Sequence, residues 1–390
     1  MMPITVLIVD DSHFFQRVLK EIISENKNFK VVGVANNGVE AIEKVASLRP
    51  DVVTMDYEMP MMDGVTAVRE IMSTNPLPIL MLSSMTFSGA KITIDALEAG
   101  AADFMTKNFA EISGKGAAIK KRLYDTLLAL GQSRSHSQHF SAQDTSSAIG
   151  GQERSSDSVI TTKQRLTPSE KNISTDLRDR AVNDAHTAVS AANSSGKKNN
   201  NLGRTVKMIA IGASTGGPAA LTDLLKGIPA DFRFPILIVQ HMPQNFTLAF
   251  SQRLNKQCEI EVKEAEDGDY IQPGRALLAP GGKQMIIDKK NKNRIKVMDS
   301  SADIPYKPSV DINFASLSNS YGGSVLGVVL TGMGSDGCDG ARLLTEKGST
   351  IWTQTKDSCV VYGMPMAVDR ANLSSASFNI KDMIKNLKEL

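Results

Sequence analysis

Cysteine is scarce in this chain and follows no pattern. Cys258, Cys338 and Cys359 are odd in number and far apart, with no Cys-x-x-Cys pair. That spacing argues against a disulfide framework or a structural zinc site and suits a reducing compartment. Long apolar runs are lacking too: no stretch approaches the roughly 20 residues needed to cross a bilayer. Met1 to Val9 has neither the basic flank nor the long apolar core of a signal peptide. A cytoplasmic location without membrane insertion is expected. No charge sign dominates, since 44 Lys and Arg face 42 Asp and Glu for a net charge of +2. The whole chain therefore offers no electrostatic case for nucleic acid or an anionic membrane. Histidine is also rare, with only His13, His136, His139, His186 and His241.

What is present is ordinary globular material, 41% hydrophobic and 22% charged, in 390 residues. That length suits two cores and a connector. From residue 1 to about 130, apolar runs at Ile4–Val9, Lys30–Ala35, Val52–Met55, Ile79–Leu82 and Asp103–Thr106 read as strands. Helical spacing fills the gaps at Phe14–Ser24, Val39–Ser47, Gly64–Ser73 and Thr93–Ala99. Strands alternating with helices predict a parallel sheet covered on both faces. Ser133 to Gly203 holds only ten Leu, Ile, Val or Phe in 71 positions, too few to bury a core. A flexible Ser/Asn-rich linker is expected over 131–205, with at most a solitary helix at Asp176–Ala192. From 206 to 390 the α/β pattern returns, with β-rich runs at Met208–Ile211, Pro235–Val239, Ala276–Leu278 and Ser324–Leu330 and a helix near Lys381–Leu390. The expected class is two-domain α/β.

In the first domain, strand ends carry Asp10-Asp11, Asp56 followed by Tyr57-Glu58-Met59-Pro60, Ser83-Ser84 and Lys107. The carboxyl ends of an open parallel sheet form one rim, where ligands bind. Three carboxylates there suit Mg²⁺, and a lysine and a hydroxyl could meet the oxygens of a phosphoryl group on Asp56. A single loop-end aspartate is more often a plain turn residue; four suitable strand ends together are not. Residues 1 to about 125 resemble a response-regulator receiver, with Asp51-Val52-Val53-Thr54-Met55-Asp56-Tyr57-Glu58-Met59-Pro60-Met61-Met62-Asp63-Gly64 close to its central signature. The resemblance implies a flavodoxin-like sheet of five strands, Asp56 as phospho-acceptor, and Mg²⁺ on Asp10, Asp11, Asp56 and the Glu58 backbone carbonyl. It further implies Ser83, Phe104 and Lys107 as switch residues. Where the family commonly has proline after the lysine, this chain has Asn108.

In the second domain, Met208–Ile211 runs into Gly212-Ala213-Ser214-Thr215-Gly216-Gly217-Pro218. A small-residue turn between strand and helix exposes a serine at a helix N-terminus, where negative charge is favoured. The spelling fits a nucleophile elbow but equally a phosphate cradle. With one histidine in the first domain and three in the linker, only His241 remains for the second, directly after a strand. A structural histidine is the ordinary reading there; on the same rim as Ser214, a general base is credible. Asp336, in the Gly-rich loop after Ser324–Leu330, would be the third member, with Asp339 as a competitor. Gly332, Gly334 and Gly337 also spell a dinucleotide fingerprint, but too little chain follows for the remaining βαβ units.

Ile211–Pro218, Gln240-His241-Met242-Pro243, Arg253-Leu254-Asn255, Glu264–Gly268, Ala279–Gly282, Pro308-Ser309-Val310-Asp311, Thr331–Gly337 and Gly363-Met364-Pro365 together resemble, in order, the catalytic domain of chemotaxis protein-glutamate methylesterases. That resemblance implies a doubly wound, mostly parallel sheet, with Ser214 as nucleophile, His241 as base and Asp336 as orienting acid. The backbone N–H groups of Thr215 and Met333 would form the oxyanion hole. It implies methylated chemotaxis receptors as substrate, methanol release, glutamine deamidation at the same site and a chemotaxis histidine kinase as phosphodonor. No cofactor is expected for the ester chemistry, and a monomer is expected. Gln284 and Tyr306-Lys307 depart from the histidine and arginine of many relatives. A non-catalytic phospho-dependent adaptor is the alternative. A DNA-binding output is disfavoured, because no helix-turn-helix or basic recognition helix follows the receiver.

Overall fold

The computed structural model describes residues 2–84, 86–107, 117–141 and 202–390. Most of the expected linker, the segment Asp176–Ala192 and Asn108 lie outside the described residues.

The first sheet contains β1 (Ile4–Val9), β2 (Phe29–Ala35), β3 (Val52–Asp56), β4 (Ile79–Ser83) and β5 (Asp103–Thr106) in the order β2-β1-β3-β4-β5. All pairings are parallel. β3 and β4 are buried at every position, which is why they read as unbroken apolar runs rather than alternating ones. Helices α1 (His13–Glu25), α2 (Gly38–Leu48), α3 (Gly64–Thr74) and α4 (Phe87–Glu98) follow the strands, and α5 (Ala117–Ser141) comes after β5. Each of α1 to α4 starts on a polar cap. The side chains of Ser12, Asn37, Asp63 and Thr86 accept from the backbone N–H groups of Phe15, Glu40, Thr66 and Gly89. These caps satisfy orphan helix donors and fix the loops at the strands' carboxyl ends.

After α6 (Leu202–Thr205), the second sheet takes β6 (Met208–Ala213), β7 (Ile236–Gln240), β8 (Glu261–Glu264), β9 (Arg275–Leu278), β12 (Val325–Val329), β13 (Thr350–Gln354) and β14 (Ala376–Phe378). Its order is β14-β13-β12-β6-β7-β9-β8, all parallel. An antiparallel hairpin, β10 (Lys283–Ile287) with β11 (Ile295–Asp299), stands apart. Helices α7 (Gly217–Lys226), α8 (Phe246–Gln257), α9 (Val310–Tyr321), α10 (Cys338–Glu346), α11 (Met364–Arg370) and α12 (Ile380–Lys388) complete the domain. Strand order reverses between β6 and β12, so the crevice at their carboxyl ends is where such a sheet binds ligands. Ser214 follows β6, His241 follows β7 and Asp336 lies in the loop after β12.

The receiver-like domain packs on that crevice. Phe104 of β5 stacks on Phe246 of α8, ring centroids 4.5 Å apart. Arg253 of α8 grips Glu98 at the end of α4 through two nitrogens, Nε at 2.8 Å and Nη2, and reaches Asp95 at 3.4 Å.

Candidate active site

At the first sheet's rim, one carboxylate oxygen each from Asp10, Asp11 and Asp56 lie within 4.8 Å of one another. Lys107 Nζ is 2.7 Å from both Asp10 Oδ2 and Asp56 Oδ2. Burial pushes the Asp56 carboxyl up to about 6, and the Lys107 charge only partly offsets it. Three hard oxygen donors with one cation among them fit a divalent ion such as Mg²⁺. Of the expected switch residues, Lys107 is gathered there, whereas Ser83 and Phe104 are engaged elsewhere. The Ser83 hydroxyl accepts from Thr93 at 2.6 Å and donates to the Gly89 carbonyl at 3.3 Å. Phe104 is turned into the second domain.

The second site begins with the turn after β6. Ser214 N–H donates to Thr331 O at 3.0 Å, and Gly217 N–H returns to Ser214 O at 2.8 Å. Gly216 has φ +75° and lies so close to Val360 that an added Cβ would fall 2.5 Å from that side chain's Cβ. Only glycine makes this turn. A Cβ on Gly332 would meet Met364 Sδ at 2.3 Å and Ser214 Cβ at 2.8 Å. The fingerprint glycine therefore admits the serine rather than a dinucleotide.

Gln240, only 2% exposed, ties the two strand ends together. Its Nε2 donates to Ser214 O at 2.9 Å and His241 O at 3.3 Å. His241 Nε2 is 2.7 Å from Asp336 Oδ2. Asp336, not the exposed Asp339, is the partner, and it is buried. The imidazole lies flat against Tyr306, centroids 4.3 Å apart and 8° from parallel. Its other nitrogen, Nδ1, is buried without a hydrogen-bond partner. Ser214 and His241 line one cavity of about 540 Å³, yet their side chains do not hydrogen-bond in this state.

Asp336 carries more than the histidine. It accepts from Ser309 Oγ at 2.9 Å and from the N–H groups of Val310 at 2.7 Å and Asp311 at 3.0 Å. Burial disfavours its charge, but the imidazole and these donors outweigh burial and hold the carboxyl well below the usual range. Gln284, also 2% exposed, holds the neighbouring loop: Nε2 donates to Tyr306 O at 2.8 Å, and Oε1 accepts from Ser309 N at 2.8 Å. Sequence reasoning missed Gln240, Ser309 and Asp311 as site residues. Their placement inside matching motifs was the only available signal.

The receiver side closes the cavity with Asp103, Phe104, Lys121, Arg122 and Asp125. Thr215 Oγ1, on the turn itself, donates to Asp103 Oδ2 at 2.6 Å. Burial raises the Asp103 carboxyl's pKa despite that bond.

Residues 209–387 match the family model described as CheB methylesterase, and residues 6–116 match the response regulator receiver domain. A Saccharophagus degradans protein named protein-glutamate methylesterase/protein-glutamine glutaminase 1 is 48% identical over 373 residues, spanning 96% of this chain and 95% of that one. An Idiomarina loihiensis protein of the same general name is 47% identical over 386 residues, 98% of this chain and 97% of that one. Among solved structures, the Thermotoga maritima CheB methylesterase catalytic domain is 35% identical, with a TM-score of 0.45, covering 47% of this chain and 98% of that one. The near full-length identity to the Saccharophagus and Idiomarina proteins, with the two family matches, makes the chain a member of the family of protein-glutamate methylesterases/protein-glutamine glutaminases, with a response-regulator receiver joined to a methylesterase domain.

Proposed function

We propose that this chain hydrolyses glutamate methyl esters on methylated chemotaxis receptors, releasing methanol, and deamidates receptor glutamines at the same site. The single observation that carries the reading is the buried His241–Asp336 pair beside Ser214 in one cavity. Ser214 Oγ attacks the side-chain carbonyl, and its proton passes to His241 Nδ1, the ring nitrogen left without a partner. Asp336 fixes the tautomer with hydrogen on Nε2 and stabilises the imidazolium. The N–H groups of Thr215 and Met333 face the developing oxyanion. The imidazolium returns the proton to methanol, or to ammonia from glutamine. A water activated by the same ring then frees the glutamate and restores Ser214. Methanol assayed with methylated receptor separates this from the adaptor alternative, which predicts binding without release.

Asp56 is the phospho-acceptor in this reading, and a chemotaxis histidine kinase is the donor. Asp10, Asp11 and Asp56 would hold Mg²⁺ with the Glu58 carbonyl. When bound, that ion supplies charge to offset the phosphoryl oxygens. Lys107 would exchange part of its pairing with Asp10 for a phosphoryl oxygen, and the Ser83 hydroxyl would leave Thr93 to join it. Phe104 would respond by loosening its stack on Phe246. No helix among the described residues is long and apolar enough to span a membrane. A monomer working in the cytoplasm is part of the proposal.

The unphosphorylated receiver inhibits by covering the crevice, with Asp103 bonded to the Thr215 turn and Glu98 bonded to Arg253. A truncated chain of residues 206–390 is expected to exceed the unphosphorylated full chain in methanol release by about tenfold, the equivalent of 1.4 kcal/mol of closure. Glu98→Arg, which sets like charges against Arg253, is expected to raise basal activity several-fold. Equal rates for all three proteins would defeat the inhibition model.

A further inference from the structure

We propose that Asp311 is a positioning residue for catalysis, which holds the Asp336 loop in register through a reciprocal pair of helix caps; this rests on the roles proposed for Ser214, His241 and Asp336. Helix α10 cannot cap itself, because its N-cap is Gly337, at φ +97° and without a side chain. Its free N–H groups are taken from another helix: Asp311 Oδ1 accepts from Gly337 N at 2.9 Å and Gly340 N at 2.7 Å. The loop leading into α10 returns the favour. Asp336 takes the N–H groups of Val310 and Asp311 at the start of α9. Each helix is thus capped by a carboxylate that belongs to the other helix or its leading loop, and each carboxylate gains from the positive end of a helix dipole.

The exchange needs close approach. A Cβ on Gly340 would lie 2.6 Å from Phe314 Cβ and 3.0 Å from Asp311 Cα. It also places the half-buried Asp311 carboxylate beside the buried one of Asp336. Burial and the Asp336 charge push the Asp311 carboxyl up, against the pull of the two glycine N–H groups. Such a pair is costly to build. A simple stabilising cap needs no second, half-buried acid beside the first, whereas a clamp on both ends of the loop fixes the direction in which Asp336 Oδ2 meets the imidazole. A misplacement of about 1 Å there is worth on the order of 100-fold in rate.

The test uses the full chain, with methanol release measured beside NMR of the imidazole N–H proton that His241 shares with Asp336. Asp311→Ala should lower kcat by about 10- to 100-fold, leave KM nearly unchanged and shift or broaden that resonance. Asp311→Asn keeps an oxygen for both glycine N–H groups and should retain most of kcat and the parental resonance. Gly340→Ala, which wedges α9 from α10, should imitate Asp311→Ala; it and Asp311→Ser carry the comparison if Asp311→Ala does not fold. Parental kcat and an unmoved resonance in a folded Asp311→Ala or Asp311→Ser protein would overturn the proposal, as would a loss confined to thermal stability. Failure of the esterase reading is separately visible: Ser214→Ala would then release methanol like the parent.

Discussion

Ser214→Ala is expected to cut methanol release by about 10⁴- to 10⁶-fold, or roughly 5.5–8 kcal/mol of transition-state stabilisation. The hydroxyl supplies the electrons that form the acyl bond, and the neighbouring Thr215 hydroxyl in the same cavity is committed to Asp103. What survives should be the small contribution of the oxyanion donors and of water activated by the ring. The substitution is structurally mild. Ser214 Cβ, which abuts Gly332, is kept, and the backbone bonds to Thr331 and Gln240 do not involve the hydroxyl. Receptor binding and thermal stability should therefore stay near parental values while the rate collapses. A variant that releases methanol at the parental rate would remove the serine mechanism altogether.

Asp336→Asn should cost about 10³- to 10⁴-fold in kcat/KM for a different reason. With the amide nitrogen turned to the ring, the imidazole proton moves to Nδ1, and the base can no longer accept from Ser214. With the amide oxygen turned there instead, the NH₂ group meets the Asp311 N–H, a donor facing a donor. Either orientation leaves a buried donor without an acceptor, a cost of about 1–3 kcal/mol in stability. The pH dependence has a definite sign. The folded carboxyl is held below the ordinary aspartate value of about 3.9, so its stabilisation is present above that value and lost as pH falls through the depressed one. The parent should therefore lose stability through this group on acidification, and the Asn variant should lack that component. Kinetics and acid unfolding of the two proteins check both halves, and unchanged kcat/KM would exclude Asp336 from the mechanism.

The three groups at the second sheet's edge were legible because each follows an apolar strand, and a parallel sheet gathers such ends on one rim. Histidine scarcity singled out His241, and the Asp336–Asp339 ambiguity was settled by burial, which spacing does not encode. The clamp around the triad was not legible. Gln240, Asp311 and Gln284 act on backbone groups, and Ser309 on the Asp336 carboxylate, 25 to 29 positions away, with no local signature. Nor does sequence say which imidazole nitrogen faces the acid. Some elements also escaped. β8, Glu-Val-Lys-Glu, alternates charge with one buried valine, and the β10–β11 hairpin lacks a short turn signal. Helix α4 begins at Phe87, before the expected Thr93, because the Thr86 hydroxyl caps it. The departure at Tyr306 becomes intelligible as an aromatic face laid over the His241 ring.

The cavity beneath the receiver has a consequence for selectivity. Its volume of about 540 Å³ accommodates a small acyl compound, whereas a receptor helix is about 10–12 Å across with its side chains and needs the whole crevice. Closure therefore sorts visitors by bulk rather than by chemistry. Low-molecular-weight esters and serine-directed reagents should reach the nucleophile in the resting enzyme at rates that barely respond to phosphorylation, leaving the protein substrate alone under the control of the signal.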